Sequence, residues 1–309
     1  MAWNNGSMVT EFILLGLTNN PQLQVILFVF FLIIYLMIIT GNTFIVIVAI
    51  KEPSLHTPMY FFLANLSSLD IIYSTSIIPR MLRDFLSTRK VISLGECVTQ
   101  MYVSLGLAEV ECILLGVMAY DRFVAICHPL HYMTTMRRSV CIKIATATWM
   151  CGLCLTIPSV IAVFNVDLCG RNEINHFECE IPELISISCG DTTVIDLLNL
   201  TIGPLLLVGP SIFICATYVR IIRSVLRIAT SEGRRKAFST CSSHIMVVIV
   251  LYGLPMFSYL NPRSNTDPGT VKIYTLFYTT LTPLFNPIVY TLRNNEIITA
   301  LKKVTKKVT

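Results

Sequence analysis

Charge is what this sequence has least of. Only 13% of its 309 residues are Asp, Glu, Lys or Arg, against roughly 25% in an average soluble chain. That scarcity excludes a solvated globule of this length, because too few polar side chains remain to cover it. Linkers and repeats are missing too. No composition break or Pro/Gly/Ser-rich stretch divides the chain, so residues 1–309 are expected to form one domain. A cleavable leader is not expected, since the N-terminus lacks a basic segment and its first apolar run is long enough to span a bilayer. Signatures of an intramembrane protease are missing as well. There is no His-Glu-x-x-His motif, and none of His56, His128, His131, His176 and His244 pairs with a serine at a catalytic spacing.

What is abundant is apolar surface: 54% of residues are hydrophobic and the mean hydropathy is +0.70. Stretches of about 20 apolar residues read as membrane helices, and seven are visible, at approximately 25–50, 58–80, 97–127, 141–164, 194–226, 238–260 and 271–292. The expected fold is therefore an all-α bundle of seven transmembrane helices, with residues 1–24 outside. Residues 293–309 form a cytoplasmic tail that opens as a short amphipathic helix. Lys and Arg set this orientation. With residue 1 outside, 16 of the 23 fall on the inner side, among them Lys51, Arg137, Arg138, Arg234 and Arg235. The net charge of +5 then describes an inner face against anionic lipid, not a nucleic-acid surface. Asn5-Gly6-Ser7 is a glycosylation sequon on the outside. The sequons at Asn65 and Asn199 lie inside spans, beyond reach of the transferase.

Eleven cysteines do not make one disulfide framework, because most fall inside spans. Cys97, Cys169, Cys179 and Cys189 lie at the outer, oxidising face, where four cysteines allow three pairings. The other seven read as small apolar packing residues. His176 stands among the outer cysteines, but the spacing matches no zinc site.

Polar residues inside spans are costly and face the bundle interior. Arg122 lies five helical turns after Ser104, and Glu111 falls on the same stripe. Asp70 is a second intramembrane acid. Span seven ends Pro283-Leu-Phe-Asn286-Pro287-Ile-Val-Tyr290, where a helix-interior proline frees a carbonyl. Asn286 can take up that carbonyl or reach Asp70. Two isolated, protonated acids and an ordinary proline kink are the bland readings. The functional reading is a hydrated centre whose occupancy differs between two conformations.

These segments together resemble the rhodopsin-like G-protein-coupled receptors and, within them, the odorant receptors. The matching stretches are Gly41-Asn42, Leu55 through Asp70, Met118-Ala-Tyr-Asp-Arg-Phe-Val-Ala-Ile-Cys127 with the following His128–Tyr132, Lys236 through His244, and Pro283 through Asn294. The Pro58-Met-Tyr-Phe-Phe-Leu63 opening of span two and the Lys236–His244 opening of span six are specific. Phe123 replaces the family's usual tyrosine, and Thr217-Tyr218 replaces Ser-Tyr; neither removes the class.

The resemblance implies disulfides Cys97–Cys179 and Cys169–Cys189, with the loop between spans four and five lying over a ligand cavity. Pocket residues carried over by position are Ser104, Leu105, Ala108 and Glu109 in span three, Ile202 and Leu206 in span five, Tyr252, Pro255 and Tyr259 in span six, and Thr279 and Thr280 in span seven. Such a lining suits a small, largely apolar volatile ligand. G-protein coupling falls to Asp121, Arg122, Tyr218, His244 and Tyr290, with a stimulatory olfactory G protein and cyclic AMP as the implied output. Asp70, Glu111 and Asn286 are candidates for a sodium site, with one shared proton as the competing occupant. No other cofactor and no enzymatic activity are expected. A non-olfactory chemoreceptor of the same family is the alternative, and a transporter, which would show repeats or paired broken helices, is a distant third.

Glu109 lies about 140° around the helix from Ser104, so it leaves the stripe and points toward spans four and five. A protonated Glu109 could donate to an alcohol, ketone or ester oxygen, and a charged one would select an amine. The expectation favours the oxygenated ligand. A hydrogen bond to Thr156, Ser159 or a backbone carbonyl of span four is the alternative that gives Glu109 no ligand role.

Overall fold

The computed structural model describes residues 9–227, 230–260 and 267–293, without the side chains of 236, 239, 240, 254–260, 268 and 291–293. Its long helices are α1 (Pro21–Lys51), α2 (Pro58–Leu86), α3 (Leu94–Cys127), α5 (Arg138–Phe164), α7 (Thr193–Leu226), α8 (Ser231–Leu260) and α9 (Pro268–Arg293). Two short helices, α4 (Tyr132–Thr135) and α6 (Ile181–Ile187), sit in connections. The start signals are local. The Asn20 side chain accepts from the Gln22 and Leu23 amides, and Ser93 with Glu96 forms a reciprocal capping box on α3. That cap starts α1 at Pro21, four residues before the expected start of span one.

Five of these helices, α1, α2, α3, α5 and α7, are long and apolar enough to cross a membrane. In α1, α5 and α7 only 17%, 33% and 22% of the apolar window is buried within the protein. A helix apolar on its exposed side needs an apolar solvent, so lipid is the surrounding medium. In α8 the apolar stretch among the described side chains is Cys241–Gly253, after a basic, polar first turn. α9 turns buried Thr279, Thr280, Thr282 and Asn286 inward.

Close approach of α3 and α5 depends on Gly152. A Cβ there would lie 2.6 Å from Val110 Cγ2 and 2.7 Å from the Val110 backbone nitrogen. Backbone cannot swing aside, so Gly152→Val is expected to cost at the upper end of the ~1–3 kcal/mol typical of overpacking. Thermal unfolding of the purified receptor checks this, and an unchanged midpoint would refute the close contact.

A second packing device explains the Gly41-Asn42 pair. Pro287 cannot donate to the Pro283 carbonyl, and Asn42 Nδ2 takes that carbonyl at 3.0 Å while also donating to Ile38 O. Gly41 makes room, since a Cβ there would meet Pro287 Cβ at 3.0 Å. Asn286 is thereby released for Asp70, and its Nδ2 donates to Asp70 Oδ2 at 2.8 Å.

The bundle also carries a small sheet at the end that the charge bias assigns to the outside, hereafter the outer end. Strands β1 (Glu11–Leu14), β2 (Val91–Ser93) and β3 (Glu173–Ile174) lie in the order β2-β1-β3, with β1 antiparallel to β2 and parallel to β3. Phe12, Leu14, Ile92 and Ile174 are buried there against Cys97, Cys179 and Val160. This departs from a purely helical reading.

Asn5 and the tail beyond Arg293, including the expected amphipathic helix, lie outside the described residues, as do the side chains of Pro255 and Tyr259. The cysteine reading is corrected in part. Cys141 and Cys241 are buried, but Cys151, Cys154 and Cys215 sit on exposed helix faces and pack no core.

Candidate functional site

Three layers of polar side chains cross the bundle. At the inner end, Arg122 pairs with Asp121 and its Nε donates to Asp121 Oδ2 at 3.0 Å. Asp121 is 1% exposed, and its second oxygen accepts from the Tyr132 hydroxyl at 2.8 Å. Tyr132 was not among the expected residues. Its signal was a tyrosine eleven positions after Asp121, returned by the turn at Pro129.

Across the same end, the Tyr218 hydroxyl and His244 Nδ1 are 2.8 Å apart and their rings stack, joining α7 to α8. Tyr290 is buried nearby on α9. A cavity of about 80 Å³ lined by Tyr218, Val225, Phe238, Cys241 and Ile245 opens beside this pair. In the connection between α3 and α5 Leu130 is 92% and Met133 73% exposed, apolar side chains that no described residue covers. The sequence showed both, but as loop residues they carried no periodic signal.

The middle layer gathers Asp70, Glu111 and Asn286, all buried. Asp70 Oδ1, Glu111 Oε1, Asn286 Oδ1 and Ser74 Oγ are buried oxygens with no hydrogen-bond partner among the described residues. An all-oxygen donor set of this kind fits a hard cation or ordered water.

The outer half holds the expected pocket residues, and several of their hydroxyls are already engaged. Ser104 donates to Met101 O, Thr279 and Thr280 donate to Leu276 O, and the Tyr252 hydroxyl donates to Cys112 O at 2.7 Å. These groups can still accept from a ligand, but they do not offer it a free proton. Leu105, Ala108, Ile202 and Leu206 are half-buried. Glu109 turns away toward α5, as the helical wheel required, and accepts from Thr156 Oγ1 at 2.9 Å. That bond is the reading in which Glu109 serves the helix interface.

At the outer end, disulfides Cys97–Cys179 and Cys169–Cys189 both form, with Cα separations of 5.6 and 6.1 Å. The first pins the connection between α5 and α7 onto α3. The Cys179 amide donates to Gln100 Oε1, and Gln100 Nε2 donates to Ser76 O, which extends the hold to α2. With their sulfurs bonded to each other, these cysteines cannot ligate a metal through His176.

A multi-pass bundle with an ion-paired inner end, a buried acid centre and a disulfide-pinned lid is the arrangement of a membrane receptor. The family model described as olfactory receptor matches residues 31–307. Human olfactory receptor 10A7 is 46% identical over 100% of this chain and 98% of its own length. Mouse olfactory receptor 5AR1 is 45% identical and human olfactory receptor 2G3 44% identical, each over 98% of both chains. The chain belongs to the olfactory receptor family, which is a family of receptors and not of enzymes.

Proposed function

We propose that this protein binds a small, largely apolar volatile ligand in the outer half of the bundle and activates a stimulatory, olfactory-type G protein on the cytoplasmic side, raising cyclic AMP. The observation that carries this reading is the inner layer. A buried Asp121–Arg122 pair within α3 and a Tyr218–His244 bond that joins α7 to α8 are few, breakable polar contacts, beside an exposed Leu130 and Met133.

A ligand acts only through its differential affinity for two conformations. In the resting one, Asp121 retains Arg122. When the inner half of α8 swings away, Tyr218 leaves His244 and Arg122 leaves Asp121. A cleft then opens into which a helix of the G protein docks, with Leu130 and Met133 giving apolar contact. Cyclic AMP in cells expressing the chain, across a panel of volatile compounds, tests this. A dose-dependent rise for some compounds supports it, and a flat response at verified surface expression opposes it.

Asp70, Glu111 and Asn286 would hold sodium in the resting conformation, where its charge would offset two carboxylates in a low dielectric. A shared proton is the other occupant of the same oxygens. Replacing sodium by choline is expected to lower the thermal midpoint of the purified receptor and raise basal cyclic AMP, and Asp70→Asn should abolish both responses. Indifference of the midpoint to sodium would leave only the proton.

A further inference from the structure

The inner halves of α7 and α8 face each other along matched stripes. On α7 the stripe is Tyr218, Ile221 and Val225, and on α8 it is Phe238, Cys241 and Ile245. Both sets advance by a step of three residues and then of four, so each covers one helix face over two turns. Stripes of this kind ordinarily interdigitate. These two leave a cavity of about 80 Å³ between them. The reason is side-chain length. Cys241 and its neighbour Ser242 stand mid-stripe between Phe238 and Ile245, and their short side chains leave the gap unfilled.

The walls select the occupant. Ile221, Val225 and Cys241 are 1%, 1% and 4% exposed and form the buried side. Tyr218 directs its hydroxyl to His244 Nδ1 at 2.8 Å, and most of the lining is hydrocarbon. A cavity with apolar walls stays dry and takes an apolar guest. At ~10–15 Å³ for each water-sized group, the space admits roughly five to eight heavy atoms. The mouth opens at the lipid. Ile222 and Phe238 at the rim are 42% and 43% exposed, and Val219 and Leu226 beside them are exposed too. A guest therefore arrives dissolved in the bilayer, where apolar compounds collect.

We propose that this space between α7 and α8 is a second binding site, for a compact hydrocarbon the size of a six-carbon ring, and that its occupancy holds α7 against α8 and damps signalling. The cavity belongs to the conformation in which Tyr218 and His244 are bonded. The outward swing of α8 proposed above takes Phe238, Cys241 and Ile245 away from α7 and abolishes it. A guest that binds one conformation alone shifts the equilibrium toward that conformation. The damping rests on the coupling reading above; the site itself does not.

The test uses the full chain purified in lipid nanodiscs. Benzene is the apolar probe, and 1,4-dioxane, a ring of similar size, is the polar one. Benzene at about ten times its Kd should raise the thermal midpoint by roughly 2 °C, and dioxane should not. Cys241→Leu grows a side chain into the space. It should keep or raise the ligand-free midpoint and remove the benzene rise. Where Cys241→Leu fails to fold, Ile245→Ala widens the space instead and should move the preference from benzene to butylbenzene. Basal nucleotide exchange on a stimulatory G protein is read in parallel. Benzene should lower it in the wild type, and Cys241→Leu should be lower from the start and indifferent to benzene.

Absence of a benzene rise would overturn the site and point to a lipid acyl chain as the occupant. An equal rise with dioxane, a rise that survives Cys241→Leu, or an unchanged preference in Ile245→Ala would overturn it as well. A benzene rise with no fall in exchange, in a receptor that does drive exchange, would overturn the damping. A receptor that drives no exchange under any condition sinks the coupling reading, while the midpoints still decide the site.

Discussion

Cys179→Ser is expected to leave the protein inside the cell, with surface receptor and ligand response both reduced to background. The bond it removes closes a loop with a sequence separation of 82, and a disulfide closing a long loop contributes typically ~2–4 kcal/mol. More is lost than loop entropy. Cys97 and Cys179 are 0% and 1% exposed, so the change leaves a buried thiol and a buried hydroxyl where no water reaches. The Cys179 amide also loses its fixed approach to Gln100, and the lid is freed from α3. Cys169→Ser should be milder, because that bond has a sequence separation of 20 and Cys189 lies at the exposed edge of the loop. Antibody counting of surface receptor compares the two. Normal surface signalling by Cys179→Ser would remove the structural role of the Cys97–Cys179 bond.

Arg122→Ala is expected to abolish cyclic AMP production while ligand still binds, since the proposed ligand-contacting residues Ser104, Leu105 and Ala108 lie turns away on the same helix. Breaking a buried pair by one partner leaves an uncompensated charge and can cost ~3–5 kcal/mol, so this variant alone confounds coupling with folding. Tyr132 still donates to Asp121 in the variant, which limits the loss. The double change Asp121→Asn with Arg122→Gln separates the two effects, because both charges go together and no orphan remains. It should reach the surface, bind ligand and fail to signal. Signalling at wild-type level by either variant at the surface would show that the G-protein site is elsewhere.

The spans and their polar stripes were legible in the sequence because the bilayer imposes one long period on every helix. Glu109 illustrates the reach of that logic: a helical wheel sent it toward α5 and α7, and Thr156 of α5, named as the alternative to a ligand, is the partner that meets it. Which occupant a polar group finds was not legible. The proline rule required some donor for the Pro283 carbonyl, but no spacing along α9 points to Asn42, 241 positions away. The sheet was hidden for a different reason. Its strands have 4, 3 and 2 residues, too short for alternation to register, and non-local pairing holds them. Likewise, His176, Glu178 and Glu180 alternate along the connection between α5 and α7, and only the fold shows that their ligating atoms lie within 4.8 Å of one another.

The central claim is that ligand at one end of this bundle changes the affinity of the other end for a G protein. Nucleotide exchange on a purified stimulatory G protein, added to the full chain in nanodiscs with and without a volatile ligand shown to bind it, measures this directly. The account predicts that ligand accelerates exchange and that the paired Asp121→Asn, Arg122→Gln variant abolishes the acceleration without losing ligand. An exchange rate that stays the same with ligand bound and ligand absent would contradict it.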